Sequence, residues 1–302
     1  MKPLLFSLPG NEQFAAGLAA LLDADVGALS TRHFPDGETY IRLDSDVVTR
    51  SVILVCTLDR PDDKALRLLF AADAARDLGA VSVGLVAPYL AYMRQDRRFL
   101  PGEAVTSQFF ARLLSAHFDW MVTVDPHLHR RSSMAEIYSI PVGVCHAAPR
   151  ISAWIGANVA NPIIIGPDVE SEQWVSAVAS GAGAPFTTLE KKRRGDREVE
   201  ITVRDIVEWR DRQPVLVDDI ISSGGTMEMV VGQLISQGFS APVIVAVHGL
   251  FAEDAFERLR TAGAGLIVST NTVPHAASAI DVCEVVHGAV SQRLTASPTR
   301  YR

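Results

Sequence analysis

Thirteen residues from Val215 to Met227, VLVDDIISSGGTM, carry groups that would bind a sugar phosphate. The apolar start predicts a buried strand, and apolar residues at helical spacing after it predict that the turn between them opens a helix. Backbone N–H groups at such a turn lack helical partners and favour an anionic ligand, so a phosphate needs no cationic side chain there. Two adjacent acids at a strand end can accept hydrogen bonds from vicinal hydroxyls. The pattern predicts a ribose-phosphate site at Asp218, Asp219, Ser222, Ser223, Gly224, Gly225 and Thr226. An ordinary strand-to-helix turn with capping serines is the alternative, and it leaves the two acids unexplained.

The turn FPDGE, Phe34 to Glu38, offers a second set of binding groups. Its two carboxylates, Asp36 and Glu38, could accept hydrogen bonds from an adenine amino group and from ribose hydroxyls. Arg94 and Gln95 follow an apolar strand, where a guanidinium can stack on a base or pair with phosphate and an amide can read a purine edge. Ordinary packing of Phe34 and a surface ion pair at Arg94 remain the alternatives.

Two more polar residues follow predicted strands. His127 comes after the strand 120–124, and Asp168 comes after the strand 163–165. Ligands collect at the carboxyl ends of strands in α/β folds. Asp168 suits Mg²⁺ better than His127 does, because magnesium prefers oxygen ligands, and His129 is a nearby competitor for the imidazole role.

A run of cations, KKRRGDR, extends from Lys191 to Arg197 between a strand expected to end near Leu189 and one expected to begin near Val199. By charge alone it fits a solvated loop. The whole chain has 28 basic and 35 acidic residues and a net charge of -7, so a general nucleic-acid surface is not expected.

The elements that would position these residues occur twice. Strand, helix and strand are predicted at 51–57, 62–78 and 81–86, and again at 213–217, 226–237 and 243–247. This alternation implies parallel sheets with right-handed crossovers. We therefore expect two domains of related fold, 1–141 and 142–285, with the tail 286–302 packing on the first.

Several segments together resemble one family. The turn at Val215–Met227 is similar to the phosphoribosyl-diphosphate (PRPP) loop of type I phosphoribosyltransferases and of ribose-phosphate pyrophosphokinases, the PRPP synthetases. Further segments resemble the latter family: FPDGE, PYLAYMRQDRRFLPGEAVTSQFFARLL at Pro88–Leu114, VDPH at Val124–His127, GPDVESEQWV at Gly166–Val175, EKKR at Glu190–Arg193, and the C-terminal HGLF and TNTVPH. The resemblance implies an α/β fold with two tandem type I phosphoribosyltransferase-like domains, whose mainly parallel sheets are flanked by helices.

The resemblance implies pyrophosphoryl transfer from MgATP to the C1 hydroxyl of ribose 5-phosphate, giving PRPP and AMP. It assigns catalysis to Lys191 and Arg193, with Lys192 and Arg194 as the adjacent alternatives, and Mg²⁺ contact to His127 and Asp168. It assigns ATP binding to Phe34, Asp36, Gly37, Glu38, Arg94 and Gln95. Because the FPDGE turn serves a neighbouring subunit in this family, a homodimer or larger homo-oligomer is expected. A non-catalytic nucleotide-binding regulator and a phosphoribosyltransferase are the rival functions.

The chain also departs from the family. Ser222 stands where many PRPP synthetases have Asp, and EKKRRGDREVEI is closer to an archaeal-like branch. Phosphate activation, nucleotide inhibition and hexameric assembly are therefore not carried over.

Composition agrees with a cytoplasmic α/β protein of two ordinary domains. The 302 residues are 48% hydrophobic and 21% charged, and no apolar run approaches the roughly 18 residues of a membrane span. The start has no signal-peptide pattern. Three isolated cysteines favour buried structural thiols over disulfides or zinc: Cys56, Cys145 and Cys283.

Overall fold

The computed structural model describes residues 1–128, 130–168, 171–194, 198–202 and 208–296, and only the backbone of 190–194 and 198–202. The chain divides into two compact units. The first contains residues 1–146 and the segment from Cys283 onward, and the second is Ala147–Val282.

The first unit is built on a parallel sheet. Its strands in chain order are β1 (Leu4–Ser7), β2 (Asp25–Val26), β3 (Leu29–His33), β4 (Thr39–Leu43), β5 (Ser51–Val55), β6 (Ser82–Ala87), β7 (Trp120–Val124) and β8 (Val142–Cys145). Six of them form the sheet, in the order β2-β1-β5-β6-β7-β8, and every neighbouring pair is parallel. The strands β3 and β4 form a separate antiparallel hairpin.

Helices connect the strands of this sheet. They are α1 (Glu12–Leu22), α2 (Pro61–Asp77) and α3 (Thr106–His117), with a short 3-10 helix at Met134–Glu136. Pro61 at the start of α2 and two aspartates in its first turn suit the unpaired N–H groups and positive dipole of a helix N-terminus. The hairpin strand β4 packs on α2.

The second unit has the same architecture. Its strands are β9 (Pro162–Gly166), β10 (Phe186–Thr188), β11 (Glu190–Arg194), β12 (Glu198–Thr202), β13 (Gln213–Ile221), β14 (Val243–Gly249), β15 (Leu266–Thr270) and β16 (Ser278–Ile280). The parallel sheet has the order β10-β9-β13-β14-β15-β16, and β11 pairs with β12 as an antiparallel hairpin. Its helices are α4 (Ala148–Asn158), α5 (Glu172–Ala182), α6 (Gly225–Ser236) and α7 (Ala255–Thr261).

The last helix, α8 (Cys283–Thr295), belongs to the first unit, where it contacts α1, β7 and β8. Strand β8 also belongs to that unit, because it pairs with β7. The division after His146 therefore lies five residues beyond the boundary expected at Pro141. Proline ends many elements, but here Pro141 precedes a sheet strand, and its carbonyl accepts a hydrogen bond from Met121.

Continuous apolar runs explain the central strands. The residues of β5 from Val52 to Val55 and those of β13 from Val215 to Val217 have no exposed surface. A strand of a parallel sheet is covered by helices on both faces and so reads as an unbroken apolar run.

The three cysteines are buried, and burial raises the pKa of the Cys56 thiol to about 12. Within the described part of the chain, no helix has the length and apolar character needed to cross a membrane.

Candidate functional site

The turn Ser222–Gly224 follows β13 directly, and Gly225 begins α6. Strand β13 extends to Ile221, four residues beyond the end expected at Val217. The extension arises because the pairing with β14 continues from Asp218 opposite Ala246 to Ile221 opposite Gly249. The two acids therefore lie within the last residues of the strand.

Hydrogen bonds fix which way the turn faces. The carbonyl of Ile221 accepts the N–H groups of Leu250 and Phe251 at 3.0 Å, and the carbonyl of Ser222 accepts the N–H of Ala252 at 3.1 Å. The Arg258 guanidinium donates to the next carbonyl, that of Ser223. Three consecutive carbonyls thus face the segment 250–258.

The N–H groups of the turn face the other way. In a trans peptide the C=O of one residue and the N–H of the next point in opposite directions. The N–H groups of Ser222, Ser223 and Gly224 are therefore directed away from the segment 250–258, and within the described residues they donate to nothing. Gly224 adopts the left-handed φ of +73°, which glycine adopts without steric cost. The result is a row of free donors at the N-terminus of a twelve-residue helix, a geometry suited to an anion.

Asp218 and Asp219 are half-buried at the edge of the sheet next to this row. The N–H of Asp219 donates to the Asp218 carboxylate at 3.0 Å. Burial, and then the charge of Asp219, raise the pKa of Asp218 well above its ordinary value. Although its side chain still reaches solvent, Asp218 is densely surrounded by protein, so burial is the larger cause of its raised pKa. A carboxyl group that is this costly to ionise needs a hydroxyl or cationic partner.

Asp168 lies two residues beyond the end of β9. Its Oδ1 accepts the N–H of Ser171 at 3.1 Å, and its carbonyl accepts the Ser171 hydroxyl at 2.6 Å. Its Oδ2 receives no hydrogen bond from the described residues. The charge of Asp168 adds to the effects that raise the pKa of Asp218, so the two carboxyl groups are electrostatically coupled.

The cation run is not the loop that the sequence suggested. Lys191 lies opposite Ile201 and Arg193 lies opposite Val199 in the antiparallel pairing of β11 with β12. The strand continues to Arg194, and Glu190 to Thr202 form a hairpin whose turn, like the cationic side chains, lies outside the described residues. His129 also lies outside the described residues.

In the first unit, the FPDGE turn connects β3 to β4. Phe34 and Glu38 close the turn by a backbone hydrogen bond of 2.8 Å, and Gly37, at φ +93°, donates its N–H to the carbonyl of Phe34 at 2.9 Å. The side chains of Phe34, Asp36 and Glu38 are exposed. The Asp36 carboxylate accepts the Glu38 N–H at 3.3 Å, and the turn presents a ring and two carboxylates to solvent.

Arg32 and Tyr40 support the Phe34 ring. The Arg32 guanidinium carbon lies 4.4 Å from the centroid of the Phe34 ring, and Tyr40 meets that ring edge-on at 6.2 Å. Cation–π and edge-to-face contacts of this kind restrict a ring that would otherwise rotate freely.

Arg94 and Gln95 lie in the loop after β6. Arg94 is exposed and has neither an ion pair nor a hydrogen bond with any residue that the structure describes. The Gln95 amide instead donates to the Arg97 carbonyl and to Glu103, both at 3.4 Å, so it stabilises its own loop. The structure thus leaves the guanidinium available to a ligand, and the predicted contact of the Gln95 amide with ATP stays a prediction.

His127 is half-exposed in the loop after β7, where the preceding acid has a defined partner. Asp125 is buried, has a positive φ of 33°, and lies 2.8 Å from His146 Nδ1. This hydrogen bond raises the pKa of His146. The contact ties the end of β8 to the loop that carries His127.

Sequence reasoning missed the residues that hold these loops from behind. Asp96 pairs with Arg130, and Arg131 donates to the Asp96 carbonyl at 3.2 Å, which joins the Arg94 loop to the His127 loop. Arg258 fixes the Ser222–Gly224 turn in a similar way. Sequence distances of more than twenty residues separate these partners, so no local spacing could reveal them.

Comparisons with known proteins find relatives over most of the chain. Residues 3–117 match the N-terminal domain of ribose phosphate pyrophosphokinase, and residues 134–253 match a phosphoribosyl transferase domain. The chain is 35% identical to the ribose-phosphate pyrophosphokinase of Methanopyrus kandleri over 276 residues, which are 90% of this chain and 93% of that relative. It is 34% identical to the protein of that name from Methanothermobacter thermautotrophicus, with 94% and 98% covered.

A solved structure has the same fold. The crystal structure of phosphoribosylpyrophosphate synthetase from Mycobacterium smegmatis superimposes with a TM-score of 0.84, covering 97% of this chain and 99% of that chain at 23% identity. The predicted fold class, two α/β domains with parallel sheets and flanking helices, is confirmed.

Proposed function

The chain belongs to the ribose-phosphate pyrophosphokinase family, and we propose that it transfers the pyrophosphoryl group of MgATP to the C1 hydroxyl of ribose 5-phosphate, giving PRPP and AMP. The observation that carries the proposal is the row of outward N–H donors at Ser222–Gly224 beside two aspartates. Together these groups match the two polar ends of a ribose phosphate.

The 5-phosphate binds at the turn. Its oxygens accept the three N–H groups, with hydroxyls from Ser222, Ser223 and Thr226 as further donors. Asp218 and Asp219 accept hydrogen bonds from the 2- and 3-hydroxyls of the ribose. A hydroxyl donor lowers the cost of ionising Asp218, so sugar binding and the raised pKa of that group are coupled.

ATP binds through residues of the first unit. Phe34 stacks on the adenine, while Asp36 and Glu38 accept hydrogen bonds from its amino group and from the ribose. Arg94, which lacks a partner within the described residues, pairs with phosphate oxygens. Gln95 supports this loop through Glu103.

Mg²⁺ fits the donors that the chain offers. Asp168 Oδ2 is an unshared carboxylate oxygen, the ligand type that Mg²⁺ prefers, and a cation there would relieve the charge that raises the pKa of Asp218. Among the residues whose structure is described, no group of three His, Cys, Asp or Glu could hold a metal alone. Magnesium commonly completes its shell with water and substrate phosphates. When bound, it would neutralise charge on the ATP phosphates, and His127 would contribute through phosphate oxygen or water.

Pyrophosphoryl transfer needs no covalent nucleophile. The C1 hydroxyl attacks the β-phosphorus of ATP and releases its proton to water, the bond from that phosphorus to the α,β-bridging oxygen breaks, and AMP leaves with that oxygen. Negative charge grows on the transferred and leaving oxygens, and Lys191 and Arg193 stabilise it as fixed cations.

A second copy of the chain is part of the proposal. Two large apolar side chains on α2, Leu66 and Phe70, and two on α3, Phe109 and Leu113, are between 40% and 57% exposed although the helices pack together. Grouped apolar exposure of this kind is uncommon on monomers. The exposed charges of α2 are aspartates, whereas α3 exposes Arg112. A two-fold axis that sets α2 against the partner subunit's α3 would pair these charges.

An AMP-release assay tests the function. We expect AMP only when ATP, Mg²⁺ and ribose 5-phosphate are all present, and little with free ribose, because ribose lacks the group that the turn binds. AMP formation that is independent of the sugar phosphate, or none at any substrate concentration, would contradict the proposal.

A further inference from the structure

Arg258 joins the turn Ser222–Gly224 to two other segments. Its Nη2 donates to the carbonyl of Ser223, its Nη1 pairs with Asp254 at the start of α7, and its Nε lies 3.2 Å from Glu228 Oε2 in the first turn of α6. One planar guanidinium thus binds three acceptors from three different segments, a role its five fixed donors suit and a lysine cannot fill.

Helix α7, which carries Arg258, also packs against the turn. A Cβ on Gly224 would lie 3.5 Å from Ala255 Cβ and 3.5 Å from Leu259 Cδ1. The two residues with positive φ just before α7, Phe251 at 41° and Glu253 at 56°, show that the connecting loop is held in a strained path. Arg258 donates to the residue immediately before Gly224, and among the described residues no other side chain forms a hydrogen bond with the turn.

We infer that Arg258 is a positioning residue for ribose 5-phosphate binding: by holding the Ser223 carbonyl outside the site, it directs the Gly224 N–H into it. The C=O of Ser223 and the N–H of Gly224 belong to one rigid peptide plane, so fixing one fixes the other. This inference rests on the proposed function, since it concerns the phosphate that the turn binds. Arg258 itself touches no substrate.

The exposure of the ion pairs separates this role from a structural one. The Arg258 side chain is 34% exposed, and those of Glu228 and Asp254 are 41% and 65% exposed. Ion pairs this exposed contribute little to global stability. Loss of Arg258 should therefore leave the melting temperature nearly unchanged. It should, however, let the peptide group between Ser223 and Gly224 change its orientation.

The test compares Arg258→Ala with Arg260→Ala. Arg260 lies on the same helix, and its exposed ion pair is with Glu257 of that helix, so it is a matched control. We expect Arg258→Ala to raise the KM for ribose 5-phosphate by about ten- to hundredfold, as small losses of positioning do, with the KM for ATP changed less than about twofold. Arg260→Ala should match the unmodified protein for both substrates.

Chemical rescue by guanidinium and a conservative substitution provide two further tests. Millimolar guanidinium should lower the raised KM of Arg258→Ala but not alter Arg260→Ala. Arg258→Lys keeps the charge beside Glu228 and Asp254, so it should fold even where the alanine variant does not, and its KM for ribose 5-phosphate should be raised by a smaller factor.

Several outcomes would overturn the inference. An unchanged KM for ribose 5-phosphate in a folded Arg258 variant would do so, and so would an equal loss for both substrates together with a lowered melting temperature. The proposed function survives either result. If the unmodified protein makes no AMP from ribose 5-phosphate, the proposed function fails, and this inference fails with it.

Discussion

Asp218 and Asp219 bind ribose hydroxyls in the proposed complex, whereas Lys191 and Arg193 stabilise charge that grows on phosphate oxygens. These two kinds of group affect the protein differently. Fixed cations act mainly on the transition state, so their loss should lower kcat. A half-buried carboxyl with a raised pKa also affects the folded protein before any substrate binds.

Replacing either cation should slow the reaction far more than it weakens binding. We expect Lys191→Ala and Arg193→Ala to lower kcat by about two to four orders of magnitude with little change in the melting temperature. Lys192→Ala and Arg194→Ala are the matched controls from the same strand, and they should lose much less. Near-normal kcat in both Lys191 and Arg193 variants would show that the assignment is wrong.

Asp218→Asn should be more stable than the unmodified protein, and the difference should grow as the pH rises. Because the folded-state pKa of Asp218 is raised above the ordinary 3.8, its contribution to stability is complete below that value and is lost as the pH rises through the folded-state pKa. Asparagine does not ionise, so the variant does not lose this stability at high pH. We expect a melting temperature higher by roughly 2–4 °C at pH 8 and almost no difference near pH 4.

The pH series compares Asp218→Asn with the unmodified protein at each pH. A difference for Asp218→Asn that does not vary with pH, or destabilisation at pH 8, would contradict the cause assigned to the pKa. The variant should also lose affinity for ribose 5-phosphate, since an amide accepts sugar hydroxyls less strongly than a carboxylate.

Some residue roles could be predicted from sequence, and others could not. The turn was identifiable because its strand, acids and glycines are consecutive, so local rules apply. Gln95 stays a predicted ATP contact, and the structure adds what local spacing does not show, that its amide donates to Arg97 and Glu103. Arg258 was missed because its contact with Ser223 spans 35 residues and depends on how α7 packs.

At the scale of elements, the ends of strands decide where the chemistry lies. The sequence predicted β13 as a strand but ended it at Val217, since acids are unfavourable in strands. Pairing with β14 overrides that preference as far as Ile221. The same holds for β11, where pairing with β12 carries the strand through four consecutive cations that the sequence placed in a loop.

Gly166, the last residue of β9, tests the packing that positions Asp168. A Cβ there would lie 2.6 Å from both Ser171 Oγ and Val175 Cγ2, and Ser171 is the residue that holds Asp168. We expect Gly166→Ala to lower the free energy of unfolding by about 1–3 kcal/mol, as overpacking does, and to raise the Mg²⁺ concentration that gives half-maximal activity.

Gly156→Ala is the matched control for that change. Gly156 lies within helix α4, and an added Cβ would meet nothing within 4 Å. Its replacement should leave stability unchanged or increase it by about 0.5–1 kcal/mol, because alanine is the better helix former. Similar urea denaturation curves for the two alanine variants would show that the close approach at Gly166 does not constrain the fold.

At the scale of the whole molecule, the two units repeat one plan. When their sheet strands are numbered along the chain, both sheets have the order 2-1-3-4-5-6, and each has an antiparallel hairpin between its second and third sheet strands. One hairpin carries FPDGE and the other carries the cation run. Strand, helix and strand periodicity predicted this repetition, but the equivalent hairpins became evident only from topology.

Mixing two inactive variants tests whether the hairpin serves a neighbouring subunit. In a hybrid of Glu38→Ala and Lys191→Ala chains, one site would receive an intact Glu38 and an intact Lys191. Freely exchanging dimers should recover about one quarter of the unmodified activity, because half are hybrids with one intact site of two. No recovery, with exchange verified by native mass spectrometry, would indicate that each chain uses its own Glu38.

The central claim, that the chain transfers a pyrophosphoryl group to C1 of ribose 5-phosphate, is tested most directly by ³¹P NMR of the complete reaction. With MgATP and ribose 5-phosphate, we predict equal amounts of AMP and of a product that carries a diphosphate on C1 and keeps its 5-phosphate. ADP with a ribose bisphosphate would contradict the claim, since it would show transfer of the γ-phosphoryl group alone, and an unchanged spectrum would contradict it as well, since no group would have been transferred.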